Sequence, residues 1–316
     1  MGRSMNTPSS TPAAVPAALL HLLTLRWLTG RRLVIGMPAL WLAGAFLLPF
    51  LIVLRISFTE MEGAGFGSIV SYSDGLLQIR LKLSNYLFIA QDDLYLLTYL
   101  SSLKYAAITT VLCLAIGYPF AYFMARARPT IRPVLMMLVM LPFWTSFLLR
   151  IYAWKGILAN HGILNDVLQA LGVIAQPLHL MHTPFSLVIG MVYAYLPFMI
   201  LPLYANLVKM DVRLLEAAGD LGATPLQAFW RITVPLSKSG IIAGAMLVFI
   251  PAVGEYVIPA LLGGPETLMI GQVLWDEFFT NNDWPMASSV TVVMVLLILV
   301  PMAIFNKVQA GQQEHA

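Results

Sequence analysis

Six runs of predominantly apolar residues, roughly 34–57, 99–125, 132–152, 185–208, 239–262 and 287–306, limit what this chain can fold into more than any other feature. Each matches the roughly 20 residues that a helix needs to cross the hydrocarbon core of a bilayer. Inside lipid every backbone N–H and C=O must find its partner within the chain, so runs of this length fold as helices. The expected fold class is an all-α membrane protein with six transmembrane helices. Composition agrees, because 59% of residues are hydrophobic and only 10% are charged, whereas soluble domains carry about 25% charged residues. An even number of spans puts both termini on one side. With the N-terminus inside, twelve of the 18 Lys and Arg residues fall in cytoplasmic segments, and Arg55, Arg80, Lys82, Lys104, Arg150 and Lys155 fall outside or near the outer ends. The positive-inside bias therefore predicts a multi-pass protein with both termini cytoplasmic. Cys113 is the single cysteine and lies inside the second run, so no internal disulfide can form.

A polar island at 211–235, DVRLLEAAGDLGATPLQAFWRITVP, interrupts the apolar runs on the cytoplasmic side. Asp211 is placed to cap a short helix through Glu216, Ala217 and Ala218, and Gly222 to end it in a left-handed turn. Thr224 caps a second helix with Pro225 at its first position, and Pro235 closes it. The product is a helix-turn-helix knuckle whose exposed face carries Ala217, Ala218 and Gly219. These are small enough to let a partner's groove reach the backbone, with Glu216 and Asp220 as polar handles.

Only one carboxylate lies well inside an apolar run: Glu255, in FIPAVGEYVIPALLGG, roughly 6 Å to the outer side of its run's middle. An acid at that depth costs ~2.5 kcal/mol or more and by default faces the bundle interior as part of a pathway. The bland alternative is a structural pairing with Arg150 or Lys104. Pro251 and Pro259 withhold N–H donors from the carbonyls of Leu247 and Glu255, and Gly254 loosens the stretch between, so a break is expected here. Freed carbonyls beside a carboxylate would make an acceptor-only lining suited to an ammonium group. Aromatic residues beside prolines, Phe143 and Trp144 after Pro142, Tyr193 and Tyr195 before Pro197 and Tyr118 before Pro119, offer ring faces that attract ammonium groups by ~0.5–2 kcal/mol each. Packing or an interfacial belt is the commoner role of such rings.

The remaining segments bound the function further. Residues 1–33 are a cytoplasmic tail in which 13–28 read either as a helix on the inner lipid surface, with Arg26, Arg31 and Arg32 toward phosphates, or as an unstructured tail. The membrane-spanning body is expected at 34–306, and a second cytoplasmic tail at 307–316. The outer segments 58–98 and 263–286 are acidic, through Glu60, Glu62, Asp74, Asp92 and Asp93 in the first and Glu266, Asp276, Glu277 and Asp283 in the last. That surface should attract cations or a basic partner, unless it is only the complement of the positive-inside bias. His179 and His182 sit at i, i+3, but a metal site would need more ligands, so no metal is expected. No phosphate-binding GxxxxGK[ST] loop exists, so the chain does not hydrolyse ATP by itself and is not expected to be an enzyme. No nucleic-acid partner is expected.

Glu216-Ala217-Ala218, then Gly222, then Ile232-Thr233-Val234-Pro235 keep the spacing of the EAA loop of bacterial ABC importer permeases, which this chain resembles. LPFWTSFLLRIYAWKGIL at 141–158 and VGEYVIPALLGGP at 253–265 look like segments that mark polyamine permeases, and the chain is similar nearly end to end to the PotH-type subunits of putrescine systems. The resemblance implies the type I ABC importer permease fold in a bacterial inner membrane. It also implies that Glu216, Ala217, Ala218, Gly219, Asp220 and Gly222 form the cytoplasmic coupling loop, docking on an ATPase. The implied partners are a second related permease, an ATPase dimer that binds ATP and Mg so that this chain holds no cofactor, and a periplasmic polyamine-binding protein. The implied substrate is putrescine-like, moved by alternating access past Glu255, Tyr256, Trp144, Phe143, Tyr195 and Tyr193. Ala260 departs from the subfamily, which carries an acid there, and leaves putrescine, spermidine and other cations open. Three rivals stand beside this reading: an ABC permease for another substrate, a secondary transporter with Glu255 as a proton relay, and a cation channel.

Overall fold

The computed structural model describes residues 30–62, 65–67, 70–73, 76–79 and 81–313. The segment 13–28, read as an interfacial helix or a tail, lies outside the described residues. The chain divides into two compact units, Met1–Ile52 and Val53–Ala316. In the first, the described residues form most of helix α1, Gly30–Ser57, which carries Pro38 and Pro49.

The second unit is built on helices, with two short antiparallel hairpins in its first connection. The hairpins are β1 (Met61–Glu62) with β2 (Gly65–Phe66) and β3 (Val70–Ser73) with β4 (Leu76–Ile79). After them come α2, Ser84–Gln91, and α3, Asp93–Arg126, whose start is capped by the Asp92 carboxylate accepting from the Leu94 N–H at 2.8 Å. The connection is tied down where it leaves α1. Lys82 and Ser84 both donate to Glu60, and Tyr86 Oη donates to Ser57 Oγ at 2.7 Å.

Next, α4 (Arg132–Met140) runs into a 3₁₀ turn, Leu141–Trp144, and then α5 (Phe147–Leu158) and α6 (Ile163–Ala170). The sequence suggests one continuous span at 132–152. Instead the axis bends by 87° between the two halves. Pro142 supplies no N–H to the preceding turn, and its carbonyl accepts both the amide and the hydroxyl of Thr145, which closes the corner. α7, Pro184–Leu207, opens on a capping box between Thr183 and Ser186 with Pro184 at its first position. The polar island gives α8 (Arg213–Asp220), α9 (Pro225–Ala228), a π-turn (Phe229–Thr233) and α10 (Val234–Leu236). α11, Lys238–Val253, follows after a 65° bend. Then come α12 (Val257–Leu262), α13 (Ile270–Trp275), a second π-turn (Asp276–Thr280) and α14 (Trp284–Gln313).

By length and composition four of these helices can each cross a membrane, and six crossings result if each bent pair counts as one. The centre of the second unit is the packing of α3, α7 and α11, where small residues let backbones close up. A Cβ on Gly117 would lie 3.3 Å from Met199 and Ile200, one on Gly240 2.8 Å from Asn206 Cβ, and one on Gly244 2.8 Å from the Met199 sulfur. Cys113 is buried in this core with its thiol toward the Val192 carbonyl, as befits a small apolar side chain. A second cluster, including Tyr95, Tyr99, Ile270 and Val290, joins α3 to α13 and α14.

Candidate functional site

Glu255 sits in the break expected from its prolines and glycine. α11 ends at Val253, residues 254–256 leave the helix, and α12 restarts at Val257. The carboxylate is half-buried and well supplied with donors. Oε1 accepts from the N–H groups of Val257 at 3.0 Å and Ile258 at 3.3 Å, capping α12, while Oε2 accepts from the hydroxyl of Tyr195 on α7. The alternative pairing is not what the structure contains. Arg150 lies over the rings of Phe143 and Phe147, and Lys104 lies 5.4 Å from the Tyr105 ring. Among the described residues the ion pair is that of Lys82 with Glu60.

The acceptor-only lining expected at the break is partly covered by protein. Gly271 of α13 approaches the carbonyls of Gly254 and Glu255 so closely that a Cβ there would sit 2.6 and 2.5 Å from the two oxygens. Only glycine permits that contact, and nothing in the pattern around 271 announced it. The candidate ring residues divide. Tyr195 touches the acid directly, and Phe143 connects to it through Phe198, which lies 5.2 Å from Phe143 and 6.3 Å from Tyr195. Tyr256 stacks on Trp275 at 4.4 Å, and Trp275 continues to Phe279, so two rings unremarked in the sequence extend that side. Tyr193 instead packs edge-on against Trp154, and Trp144 is 76% exposed. A carboxylate with one phenol as a replaceable donor can bind and release an ammonium group.

The knuckle follows most of its sequence signals, but Val212 and not Asp211 stands at the cap position of α8, Ala218 is buried, and Pro235 does not end the second helix. Asp211 accepts from the Arg213 N–H at 3.0 Å, Gly222 has φ +81°, and Ala223 N–H returns to the Ala218 carbonyl at 2.9 Å, which closes α8 in a left-handed cap. Thr224 and Gln227 form a capping box around Pro225. Glu216, Ala217, Gly219, Asp220 and Gly222 are exposed, but Ala218 is buried, so it belongs to the inner side of α8 and not to the presented face. Pro235 does not end the second helix. The π-turn before it, in which Val234 N–H reaches the Phe229 carbonyl, lets the helix carry the proline to Leu236, and the bend comes at Ser237. The knuckle also presents Leu221, 89% exposed, and Leu226, 68% exposed, which a search for small residues overlooks. On the histidines, His182 Nδ1 lies 2.8 Å from the Gly263 carbonyl and joins two connections, a structural duty.

Residues 114–311 match the family described as binding-protein-dependent transport system inner membrane component. The spermidine/putrescine transport system permease protein PotB of Haemophilus influenzae is 43% identical over 264 residues, 82% of this chain and 88% of that protein. PotB of Escherichia coli K12 is also 43% identical over 264 residues, 82% of this chain and 92% of its own length. Among solved structures, a bacterial ABC transporter involved in the import of the acidic polysaccharide alginate superposes with a TM-score of 0.63 at 16% identity, covering 92% of this chain and 99% of that one. Likeness at that identity speaks for the fold alone, the helical architecture of type I ABC importer permeases.

Proposed function

This chain belongs to the family of binding-protein-dependent transport system inner membrane components, and from that membership we propose that it is the polyamine-translocating permease of an ATP-driven importer. The observation that carries the substrate class is the 43% identity to two spermidine/putrescine permeases over most of both chains. The site chemistry supports it, since a half-buried carboxylate held by a phenol and flanked by rings is suited to passing an ammonium group. Putrescine and spermidine both present such groups, and the absence of an acid at Ala260 removes one contact that would favour either.

In this reading the exposed knuckle docks on a partner ATPase dimer, which binds ATP and Mg, with Ala217, Gly219 and the Leu221–Leu226 tip against its cleft. A second, related permease completes the pathway, and a periplasmic binding protein delivers the polyamine to the acidic outer segments. Both termini are cytoplasmic, and six crossings follow if each bent pair spans once. ATP binding pulls the knuckle and switches access from one side to the other. The secondary-transporter reading leaves the knuckle without a task. Co-reconstitution of the permease with its partner permease, ATPase and binding protein tests the proposal. Spermidine or putrescine uptake should require ATP and ignore a protonophore. Uptake that persists without ATP and collapses with the proton gradient overturns it.

A further inference from the structure

Two contacts join the knuckle and the bend that follows it to α3. Phe229, at the start of the π-turn, lies edge-to-face between Tyr118 at 5.5 Å and 88° and Tyr122 at 5.8 Å and 89°. Ser237, at the 65° bend eight residues later, is buried and shares a 2.7 Å hydrogen bond with the hydroxyl of that same Tyr118. Tyr118, Tyr122 and Arg126 are spaced i, i+4, i+8, so they form one column on α3, and the Arg126 guanidinium lies 5.2 Å from the Tyr122 ring. The π-turn between the two attachments ends on Thr233, which is fully buried with a hydroxyl that has no hydrogen-bond partner.

We propose that Phe229 is a positioning residue that transmits movement of the knuckle to α3 through the Tyr118–Tyr122 clamp. The inference rests on the reading of the knuckle as the ATPase-docking element. The segment cannot swing about the Ser237 bend without carrying Phe229, and movement of Phe229 breaks its edge-to-face contacts with both tyrosines. Load therefore reaches α3 beside Pro119, which withholds an N–H from the helix next to Tyr118. From there the contact is close. Gly117 meets Met199 and Ile200 of α7, one turn beyond Tyr195, and Met199 also meets Gly244 of α11. Tyr195 in turn holds Glu255. The route from knuckle to acid is thus continuous packing, and what it does is decided by coupling measurements.

The experiment uses the reconstituted importer and reads ATP hydrolysis together with uptake of spermidine and putrescine. Phe229→Leu should retain the ATPase at parental amounts, while polyamine moved per ATP hydrolysed falls at least about tenfold, and Phe229→Tyr, which keeps the ring, should restore it to within about twofold. Tyr122→Leu should match Phe229→Leu, and the double variant should lose no more than the larger single loss, as expected of groups that act as a unit. Parental coupling in Phe229→Leu, or independent multiplying losses in the double variant, overturns the proposal. If Phe229→Leu does not assemble, Tyr122→Leu, which removes no atom of the knuckle, carries the same expectation, and failure of both to assemble assigns the clamp to folding and overturns it too. Gly219→Trp separates the two readings. Retained ATPase and parental transport in that variant defeats docking through the knuckle, whereas parental transport by Phe229→Leu beside a disabled Gly219→Trp defeats the clamp alone.

Discussion

Tyr195 on α7 donates its phenolic hydrogen to Glu255, sixty residues further along the chain in the break between α11 and α12. With Oε1 already taken by two backbone N–H groups, the phenol fixes the remaining oxygen, so the acid is oriented by the chain's own groups. In the proposed role, an incoming ammonium uses the lone pairs that stay free or displaces the phenol. Either way the reorganisation is limited to the Tyr195 side chain on α7 and the Glu255 side chain in the break.

Glu255→Gln tests the charge at nearly constant shape. The amide oxygen can keep the bonds from Val257 and Ile258, and the amide N–H₂ can face the phenol oxygen, so folding should be preserved. Loss of the negative charge should lower polyamine uptake by about tenfold or more, equivalent to ~1.4 kcal/mol, with ATPase association unchanged. Tyr195→Phe keeps the charge and should lose less. A silent Glu255→Gln beside a disabled Tyr195→Phe would make the pair a structural strut.

Gly271→Ala probes the other wall of the break. Its methyl group would meet backbone oxygens at 2.5 and 2.6 Å, which cannot swing aside as a side chain can. α13 must therefore shift, at ~1–3 kcal/mol, the usual penalty of overpacking. Thermal unfolding in detergent should show Tm lowered by a few degrees, whereas Gly219→Ala, a helical position whose Cβ meets nothing within 4 Å, should hold Tm or raise it slightly.

The break, the knuckle and its caps were legible because their signals are local. Pro251 and Pro259 withhold donors and Gly254 loosens the backbone within one stretch, and Gly222, Thr224 and Pro225 each state their own backbone geometry. What the sequence did not reveal depends on partners far along the chain. The inward turn of Ala218 follows from how α8 sits on the protein, and the Tyr195–Glu255 and Tyr118–Ser237 bonds join residues 60 and 119 apart. Pro235 misled because a π-turn can absorb a proline without ending the helix. The 87° bend between α4 and α5 was hidden inside an apolar run long enough to pass as a straight span.

Glu60 gives a pH prediction outside the spans. Hydrogen bonds from Lys82, then Ser84, hold its carboxyl below the ordinary glutamate value of 4.5. A depressed folded-state pKa means that the pair contributes its stability in full above that ordinary value and loses it as pH falls through the lower folded-state value. Comparing the parent with Glu60→Gln by thermal unfolding should show a small gap at neutral pH that closes under acid, because the group is exposed and screened by solvent. A gap that widens as the pH falls would reverse the sign and reject the assignment.

Two neighbouring small residues separate docking from folding. Gly219 is exposed with open space where a Cβ would project, whereas Ala218 is 8% exposed on the inner side of the same helix. Gly219→Trp should leave the permease's own thermal stability and membrane insertion intact, since the indole extends outward, yet fill the cleft that the knuckle is proposed to enter. Ala218→Trp must instead force a large ring into packed protein and should lower the stability of the isolated permease by ~1–3 kcal/mol. The discriminating measurement is paired, with thermal unfolding of each isolated variant set beside co-purification of the ATPase. Loss of the ATPase in Gly219→Trp without loss of stability supports the exposed face as the docking surface. If both variants keep the ATPase, the knuckle is not where it binds, and the Leu221–Leu226 tip loses its proposed partner.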